Sequence, residues 1–257
     1  MRSFSFLDGP RPIAFAHRGG ADGSGSTENT MSAFASAVAL GYRYVETDVH
    51  ATSDGVLVAF HDPTLDRIAG RDETIEKMTW RELQSVVLGV DERVPRLVDL
   101  LDAWPDLRVN IDIKAWSAVD PLIESLRRAN AVDRVCVGSF SDLRTDRVRA
   151  AFGGRICSSL GPRGVLRLLA ATYLPGRARR RVPTVPCAQV PLHAGGITLA
   201  DRRVIDRAHA YGMQVHVWTV DDPAEMNRLL NLGVDGIMSD STRTLRDVLV
   251  ERGEWEG

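Results

Sequence analysis

The stretch RYVETDVHATSDGVLVAFHD, residues 43–62, decides the fold of this 257-residue chain. Its first half is rich in β-branched and aromatic residues, which is typical of a buried β-strand, and SDG at 53–55 is a hairpin turn signal. Glu46 and Asp48 stand two residues apart in that strand, so their side chains point to the same face. Two carboxylates that converge in a core require a compensating cation.

Outside this stretch, short β-branched runs alternate with helical patterns, which predicts parallel strands joined by right-handed crossovers. Eight strands, the number that a closed (β/α)8 barrel requires, are predicted at residues 13–16, 42–49, 107–114, 134–140, 155–160, 185–190, 213–220 and 234–240. Helices are predicted between them at 29–41, 117–130, 141–153, 164–174, 199–212, 221–233 and 241–253.

The length agrees with this architecture, because a (β/α)8 barrel has about 250 residues. We therefore expect one domain over 1–257, of the α/β class, folded as a TIM barrel with a small insertion after the second strand. The insertion covers about 64–104 and should hold one or two short helices. A doubly wound open sheet is the alternative, but the sequence has neither a GxGxxG after a strand nor a P-loop.

Charge and composition restrict the partners. The chain has 32 basic and 34 acidic residues, so no long-range field attracts it to nucleic acid or to an anionic membrane. The N-terminus lacks a signal-peptide pattern, and no stretch approaches about 18 apolar residues. We expect a cytoplasmic protein without a stable membrane anchor.

Two residue types are scarce. Cys136, Cys157 and Cys187 are widely spaced in apolar segments. We interpret them as small buried hydrophobes, which argues against a disulfide framework or a zinc site.

Lys77 and Lys114 are the only lysines among 32 basic residues. Because nearly all basic residues of this chain are arginine, a lysine at any position is unusual and suggests a specific role.

Active sites of such barrels lie at the carboxyl ends of the strands, and polar residues gather there in this sequence. These residues are His17, Arg18, Glu46, Asp48, Asp112, Lys114, Ser139, Gln189, Trp218, Ser239 and Asp240. Glu46, Asp48 and Asp112 present only oxygen ligands, which favours one Mg²⁺ or Ca²⁺, with Mn²⁺ as a further candidate, and argues against zinc. An ion pair with arginine is the alternative explanation.

His17 and His61 both end strands at this rim, one beside Arg18 and the other beside Asp62. Two imidazoles that flank a metal suit a base that takes a proton from a nucleophile and an acid that gives one to a leaving alkoxide. The sequence does not say which histidine is the base. The other histidines, His50, His193, His209 and His216, are interpreted as structural or surface residues.

Arg18 opens a glycine-rich loop and is the natural clamp for a phosphate. Lys114 ends an apolar strand, where a compact ammonium can reach a phosphate oxygen; a salt bridge with Asp112 is the alternative. Thr27 or Asn29 is expected to cap the first long helix. Trp218 either packs in the barrel core or forms a wall of the pocket.

The segments AHRGG, STENT, YVETDVHATSDG, VAFHD, VPRLVDLL, IDIK, GSF, HVWTV and VDGIMSD resemble, in order and spacing, the glycerophosphodiester phosphodiesterase family. The resemblance covers about residues 13–248. It implies a (β/α)8 barrel and metal-dependent hydrolysis of glycerophosphodiesters to sn-glycerol 3-phosphate and an alcohol.

Carried over to this chain, the resemblance assigns one role to each matching residue. His17 and His61 would be the acid/base pair, and Glu46, Asp48 and Asp112 the metal ligands. The remaining matching residues are Arg18 and Lys114 for phosphate, Trp218 for the glycerol side, and Glu28, Asn29 and Asp62 as supporting residues. Two positions depart from the pattern: Asp112 replaces the usual Glu, and Thr27 replaces the usual Pro.

Two other functions remain open at this point. One is a lysophospholipase D or sphingomyelinase D-like enzyme, which would need an apolar surface at the rim, and residues 166–186 are the segment that would supply it. The other is a barrel that binds phosphodiesters without catalysis. The sequence leaves open the alcohol moiety, the oligomeric state, and the choice between water and a glycerol hydroxyl as the attacking group.

Overall fold

The computed structural model describes residues 3–20, 27–174 and 182–256. Within them the strands are β1 (Ile13–Ala16), β2 (Tyr44–Ala51), β3 (Leu57–Ala59), β4 (Val87–Leu88), β5 (Glu92–Arg93), β6 (Arg108–Ile113), β7 (Val135–Gly138), β8 (Cys157–Ser158), β9 (Cys187–Pro191), β10 (His193–Ala194), β11 (Ile197–Thr198), β12 (Gln214–Trp218) and β13 (Gly236–Ser239). Each of the eight predicted ranges overlaps one of the strands β1, β2, β6, β7, β8, β9, β12 and β13.

Eight of these strands form a nearly closed parallel barrel, in the order β8-β7-β6-β2-β1-β13-β12-β9. One parallel bridge between Ser159 and Cys187 spans the remaining gap between the first and last strands of this order. The (β/α)8 prediction is therefore confirmed, and the doubly wound open sheet is excluded.

Helices connect the strands on the outside of the barrel. They are α1 (Met31–Ala39), α2 (Asp66–Ala69), α3 (Trp80–Leu83), α4 (Leu97–Ala103), α5 (Val119–Arg128), α6 (Asp142–Ala151), α7 (Pro162–Tyr173), α8 (Arg202–Ala210), α9 (Pro223–Asn231) and α10 (Thr242–Glu251). No helix among the described residues has the length and apolar character needed to cross a membrane.

The predicted cap of α1 is wrong. Thr30 is the N-cap, and its hydroxyl accepts a hydrogen bond from the backbone N–H of Ala33 at 3.3 Å. Thr27 instead accepts a hydrogen bond at its backbone carbonyl from the Thr30 hydroxyl. Asn29 lies in the left-handed region with φ of 57°, because the chain turns there before the helix begins.

The insertion after β2 is more elaborate than predicted. Strand β3 returns antiparallel to β2, as SDG indicates, with Val49 opposite Ala59. The chain then forms α2, α3, the β4–β5 pair and α4, so the expectation of one or two helices is too low. Buried residues of this segment form a separate apolar cluster beside the barrel, and its largest members are Phe60, Leu65, Ile75, Leu83 and Leu88.

The amino-terminal end of the barrel interior is filled. A short 3-10 helix, Ser5–Leu7, places Phe6 against Phe15 and Tyr44, with ring centroids 6.3 and 5.3 Å away. The Tyr44 hydroxyl donates a hydrogen bond to the carbonyl of Phe6 at 2.8 Å. Aromatic rings therefore fill the barrel interior at this end, whereas the predicted polar residues lie at the opposite end.

Candidate active site

The carboxylates of β2 and β6 meet at the carboxyl rim of the barrel. Asp48 stands opposite Asp112 in the parallel register, and Glu46 stands opposite Asn110. Glu46 and Asp48 are only 4% and 1% exposed, so two potential negative charges lie almost completely inside the protein.

Lys114 joins two of these carboxylates. Its Nζ lies 2.8 Å from Oδ1 of Asp48 and 2.7 Å from Oδ2 of Asp112. Burial opposes the charge on Lys114, but Asp112 and Asp48 outweigh it and raise the pKa of the ammonium. The salt bridge that the sequence left as an alternative is therefore present, and Asp112 is directed to this lysine.

Glu46 is the carboxylate whose charge is least compensated. Its burial, followed by repulsion from Asp48, raises its pKa to about 8. Asp48 differs, because Lys114 and Arg18 overcome the effect of its burial and hold its pKa below the ordinary value. Of these two carboxylates, Glu46 would therefore interact most favourably with a cation bound beside them.

His17, which follows β1, is held between two carboxylates. Its Nδ1 lies 2.8 Å from Oδ1 of Asp240, and its Nε2 lies 3.7 Å from Oε2 of Glu46. Burial works against protonation, but Glu46 and Asp240 together raise the pKa of the imidazole. The sequence places Asp240 at the rim, yet its contact with His17 was not predicted.

His61 has a carboxylate partner of its own. Its Nδ1 lies 2.6 Å from Oδ1 of Asp62, and Arg67 donates a 2.6 Å hydrogen bond from Nε to Oδ2 of the same carboxylate. Despite partial burial, Arg67 and His61 lower the pKa of Asp62. Arg67 also binds Glu28, with its Nη2 2.6 Å from Oε1. Arg67 was missed by the sequence analysis, because nothing distinguishes it from the many other arginines.

Arg18 occupies the strained turn after β1, with φ of 52°. Its backbone N–H donates to Oε2 of Glu46 at 3.2 Å, and its Nη1 donates to Oε1 of Glu28 at 2.9 Å. Its Nε lies 3.2 Å from Oδ2 of Asp48 but has no hydrogen-bond partner, because the N–H is not aligned with that oxygen. This Nε–H is therefore a buried donor that makes no hydrogen bond in the structure.

Asn29 supports the site from below. Its Nδ2 donates to Oδ2 of Asp48 at 3.1 Å, and its Oδ1 accepts from the Thr47 hydroxyl at 2.8 Å. The left-handed backbone conformation of Asn29 therefore places its side chain so that it holds one oxygen of the buried Asp48 carboxylate.

These residues line a cavity of about 490 Å³. Its polar side contains His17, Arg18, Glu46, Asp48, His61, Asp112 and Lys114, which are all the predicted catalytic, metal and phosphate residues. Trp218 also lines the cavity, and its ring meets that of Phe140 edge to face at 5.8 Å. Trp218 also packs against the buried aromatic cluster of the barrel, so it belongs both to the cavity wall and to the edge of the core. Glu28, Asn29 and Asp62 lie outside the lining and hold its members.

The other side of the cavity is apolar. Leu160, Val165, Leu166, Leu169 and Leu199 line it, and α7 contributes three of these five residues. Leu166 is 65% exposed at the mouth of the cavity. The apolar wall therefore continues from the interior to the surface.

A larger cavity of about 660 Å³ lies at the opposite end of the barrel. Arg11, His209 and Asp235 are its charged lining residues near β13, and they pair with one another: Asp235 contacts Arg11 at 3.4 Å and His209 at 2.7 Å. We assign the active site to the smaller cavity, because the carboxyl rim carries the convergent, incompletely compensated charges.

The sequence pattern of the glycerophosphoryl diester phosphodiesterase family matches residues 17–244. The chain belongs to this family. Among curated relatives, the probable glycerophosphodiester phosphodiesterase 2 of Mycobacterium tuberculosis is 44% identical to the chain, and the match covers 95% of the chain and 93% of the relative. Lysophospholipase D GDPD1 of Mus musculus is 29% identical, with 91% of the chain and 85% of the relative covered.

Solved structures of the glycerophosphoryl diester phosphodiesterase fold are also similar. A crystal structure from Silicibacter pomeroyi has a TM-score of 0.82 at 23% identity and covers 99% of the chain and 100% of its own. A phosphodiesterase from Oleispira antarctica, in complex with the product sn-glycerol-3-phosphate, has a TM-score of 0.77 at 20% identity, with 93% and 97% covered. These likenesses show a shared fold.

Proposed function

We propose that this protein is a glycerophosphodiester phosphodiesterase that hydrolyses its substrate to sn-glycerol 3-phosphate and an alcohol with the help of one divalent cation. The observation that carries the proposal is the cavity in which His17 and His61 face the buried Glu46–Asp48 pair. The 44% identity to a protein named as such an enzyme, over 95% of the chain, supports the same reaction.

The carboxylates fit a hard divalent cation such as Mg²⁺ or Ca²⁺, and Mn²⁺ is also suitable. Glu46 and Asp48 would hold the ion, and the raised pKa of Glu46 shows that negative charge there lacks a full partner. Asp112, which contacts Lys114 as placed, would be the third ligand. The ion would supply charge neutralisation for the phosphate and for the transition state.

The histidines are arranged for proton transfer. Each donates its Nδ1–H to a carboxylate, His17 to Asp240 and His61 to Asp62, so each presents Nε2 to the cavity. One Nε2 takes the proton from the attacking hydroxyl as the new P–O bond forms. The other, which starts as an imidazolium with a proton on both ring nitrogens, gives its Nε2 proton to the alkoxide as the old P–O bond breaks. The attacking group is water or the neighbouring glycerol hydroxyl.

Arg18 and Lys114 bind the phosphate. The guanidinium of Arg18 lines the cavity, and the Lys114 ammonium lies there between its two carboxylates. Both donors are fixed before the substrate arrives, so they stabilise growing charge without reorganisation. Trp218 then contacts the glycerol side of the substrate.

The test is release of sn-glycerol 3-phosphate from glycerophosphocholine and glycerophosphoethanolamine. The enzyme is first stripped of metal, and Mg²⁺, Ca²⁺ or Mn²⁺ is then restored in separate reactions. We expect activity only after restoration. Unchanged turnover by the stripped enzyme would contradict the metal requirement, and absence of turnover with every ion, from folded protein, would contradict the reaction.

A second substrate class, lysophospholipids, is favoured by the apolar wall formed with α7. Of the predicted rim segment 166–186, residues 175–181 lie outside the described part of the chain, so the wall is argued from the helix alone. One acyl chain would lie along Val165, Leu166 and Leu169, beyond the phosphate site. The 29% identity to lysophospholipase D GDPD1 of Mus musculus points to the same class.

The comparison of two leucines tests this class. Leu166 lines the cavity, whereas Leu143 on α6 is 62% exposed and does not line it. We expect Leu166→Asp to lower turnover of lysophosphatidylcholine but not of glycerophosphocholine, and Leu143→Asp to lower neither. Equal effects of the two changes would exclude the wall as an acyl site.

A further inference from the structure

All three cysteines of the chain converge inside the barrel. Cys136, Cys157 and Cys187 lie on the neighbouring strands β7, β8 and β9, and the first two are partners in the parallel register. Their exposed fractions are 1% or less. The prediction that they are buried is confirmed, but their spacing in the sequence did not indicate that they meet.

The three sulfur atoms are spaced like the ligands of one metal ion. All lie within 4.8 Å of one another, and the Sγ atoms of Cys136 and Cys187 are 3.8 Å apart. Metal–thiolate bonds of about 2.3 Å in a trigonal site place the sulfurs about 4.0 Å apart. Only small shifts of the sulfur atoms therefore separate the observed positions from a coordinated set.

The thiols already interact with one another. The Sγ of Cys187 lies 3.8 Å from the Sγ of Cys136 and donates to the backbone carbonyl of Ser158 at 3.7 Å. The three sulfur atoms therefore lie in mutual contact, in the arrangement that one bound ion would require.

The surroundings restrict the kind of ion. Phe6, Phe15, Tyr44 and Met238 belong to the same buried apolar cluster as the cysteines. Among the described residues, no carboxylate or imidazole joins the three sulfurs in a common ligand group. The imidazole of His216 is already engaged, with Nε2 3.1 Å from Oε1 of Gln214 and Nδ1 3.4 Å from Nε2 of Gln189. A structural zinc ion requires four ligands, but a soft d10 ion such as Cu(I) is satisfied by three sulfurs.

We propose that Cys136, Cys157 and Cys187 form a three-sulfur site for a single Cu(I) ion inside the barrel. Each copper–thiolate bond replaces an S–H bond and releases one proton to solvent. No electron is transferred, because the ion binds in its reduced state. This site lies below the catalytic rim and is independent of the proposed phosphodiesterase activity.

The test is an anaerobic titration of the reduced, metal-free full-length protein with Cu(I), in competition with a chromogenic chelator. Because the thiols are buried, copper is added both to the folded protein and during refolding from urea. We expect one copper ion per chain and an ultraviolet thiolate-to-copper absorption band. Absence of such a 1:1 complex in both loading experiments, with the protein folded, would overturn the proposal.

Variants separate this site from adventitious binding. Cys157→Ser and Cys157→Ala each remove one sulfur with little change in volume, and we expect the affinity for Cu(I) to fall by more than about tenfold in both. Met238→Leu removes the thioether of the same apolar cluster and should leave the affinity unchanged. Equal affinity of the wild type and both folded Cys157 variants would show that copper binds elsewhere.

Discussion

Nδ1 of His17 lies 2.8 Å from Oδ1 of Asp240, so the ends of β1 and β13 are joined by one hydrogen bond at the catalytic rim. This contact turns the opposite ring nitrogen to Glu46, 3.7 Å away. His61 repeats the arrangement with Asp62. In each histidine a carboxylate engages Nδ1, so Nε2 is left to exchange a proton with the substrate.

Asp240→Asn tests whether this orientation matters. The amide no longer selects a proton on Nδ1, so the ring reaches the wrong tautomer, and we expect kcat to fall about 10²–10⁴-fold with little change in KM. Asp240→Glu, which keeps the carboxylate, should recover part of the loss. Asp247→Asn, at an exposed position of α10, is the matched control, and equal kcat values in the two Asn variants would refute the role of Asp240.

The barrel was predictable from the sequence because each strand is a short apolar run with its own local signal. The site followed from the barrel, since His17, Asp112 and Lys114 occupy strand ends that meet at one rim. The partner of His17 was not predictable, because Asp240 is 223 residues away and only the closed barrel brings them together. The end of a strand indicates the rim but does not indicate which neighbour a side chain contacts.

Arg67 and the cysteines show two further reasons why contacts between side chains could not be predicted from the sequence. Arg67 lies on a four-residue helix of the insertion, where no periodic pattern is long enough to place it. Cys187 meets Cys136 across β8, so their contact depends on the register of three strands. Burial can be inferred from the type of residue, but convergence requires the tertiary structure.

Removal of either catalytic histidine should abolish most activity without unfolding the protein. We expect His17→Ala and His61→Ala each to lower kcat about 10²–10⁴-fold. Their melting temperatures should remain close to that of the wild type. His193→Ala, at an exposed position of β10, is the control. Normal turnover in both variants would rule out histidine acid/base catalysis at this site.

Lys114→Met should destabilise the protein, because Asp48 and Asp112 lose the ammonium that joins them. Since these groups are not all fully buried, we expect the free energy of unfolding to fall by about 2–3 kcal/mol. Added Ca²⁺ should raise the melting temperature more in this variant than in the wild type, because the ion replaces the lost charge.

The other lysine provides the control for this change. Lys77 is exposed in the insertion, and Lys77→Met should leave both stability and the effect of Ca²⁺ unchanged. If Ca²⁺ stabilises neither the wild type nor Lys114→Met, the carboxylates do not form a divalent-cation site.

His216 should make stability depend on pH. Burial lowers its pKa in the folded protein, so below about pH 6.5 the unfolded chain binds more protons than the folded one. Stability contributed by this group is therefore present above that pH and is lost as the pH falls, by up to about 1.4 kcal/mol per pH unit.

Urea midpoints measured at pH 7.5 and 5.5 should differ less in His216→Gln than in the wild type. His193→Gln, which changes an exposed imidazole, should keep the wild-type difference. An unchanged difference in His216→Gln would show that this histidine is not the group that titrates.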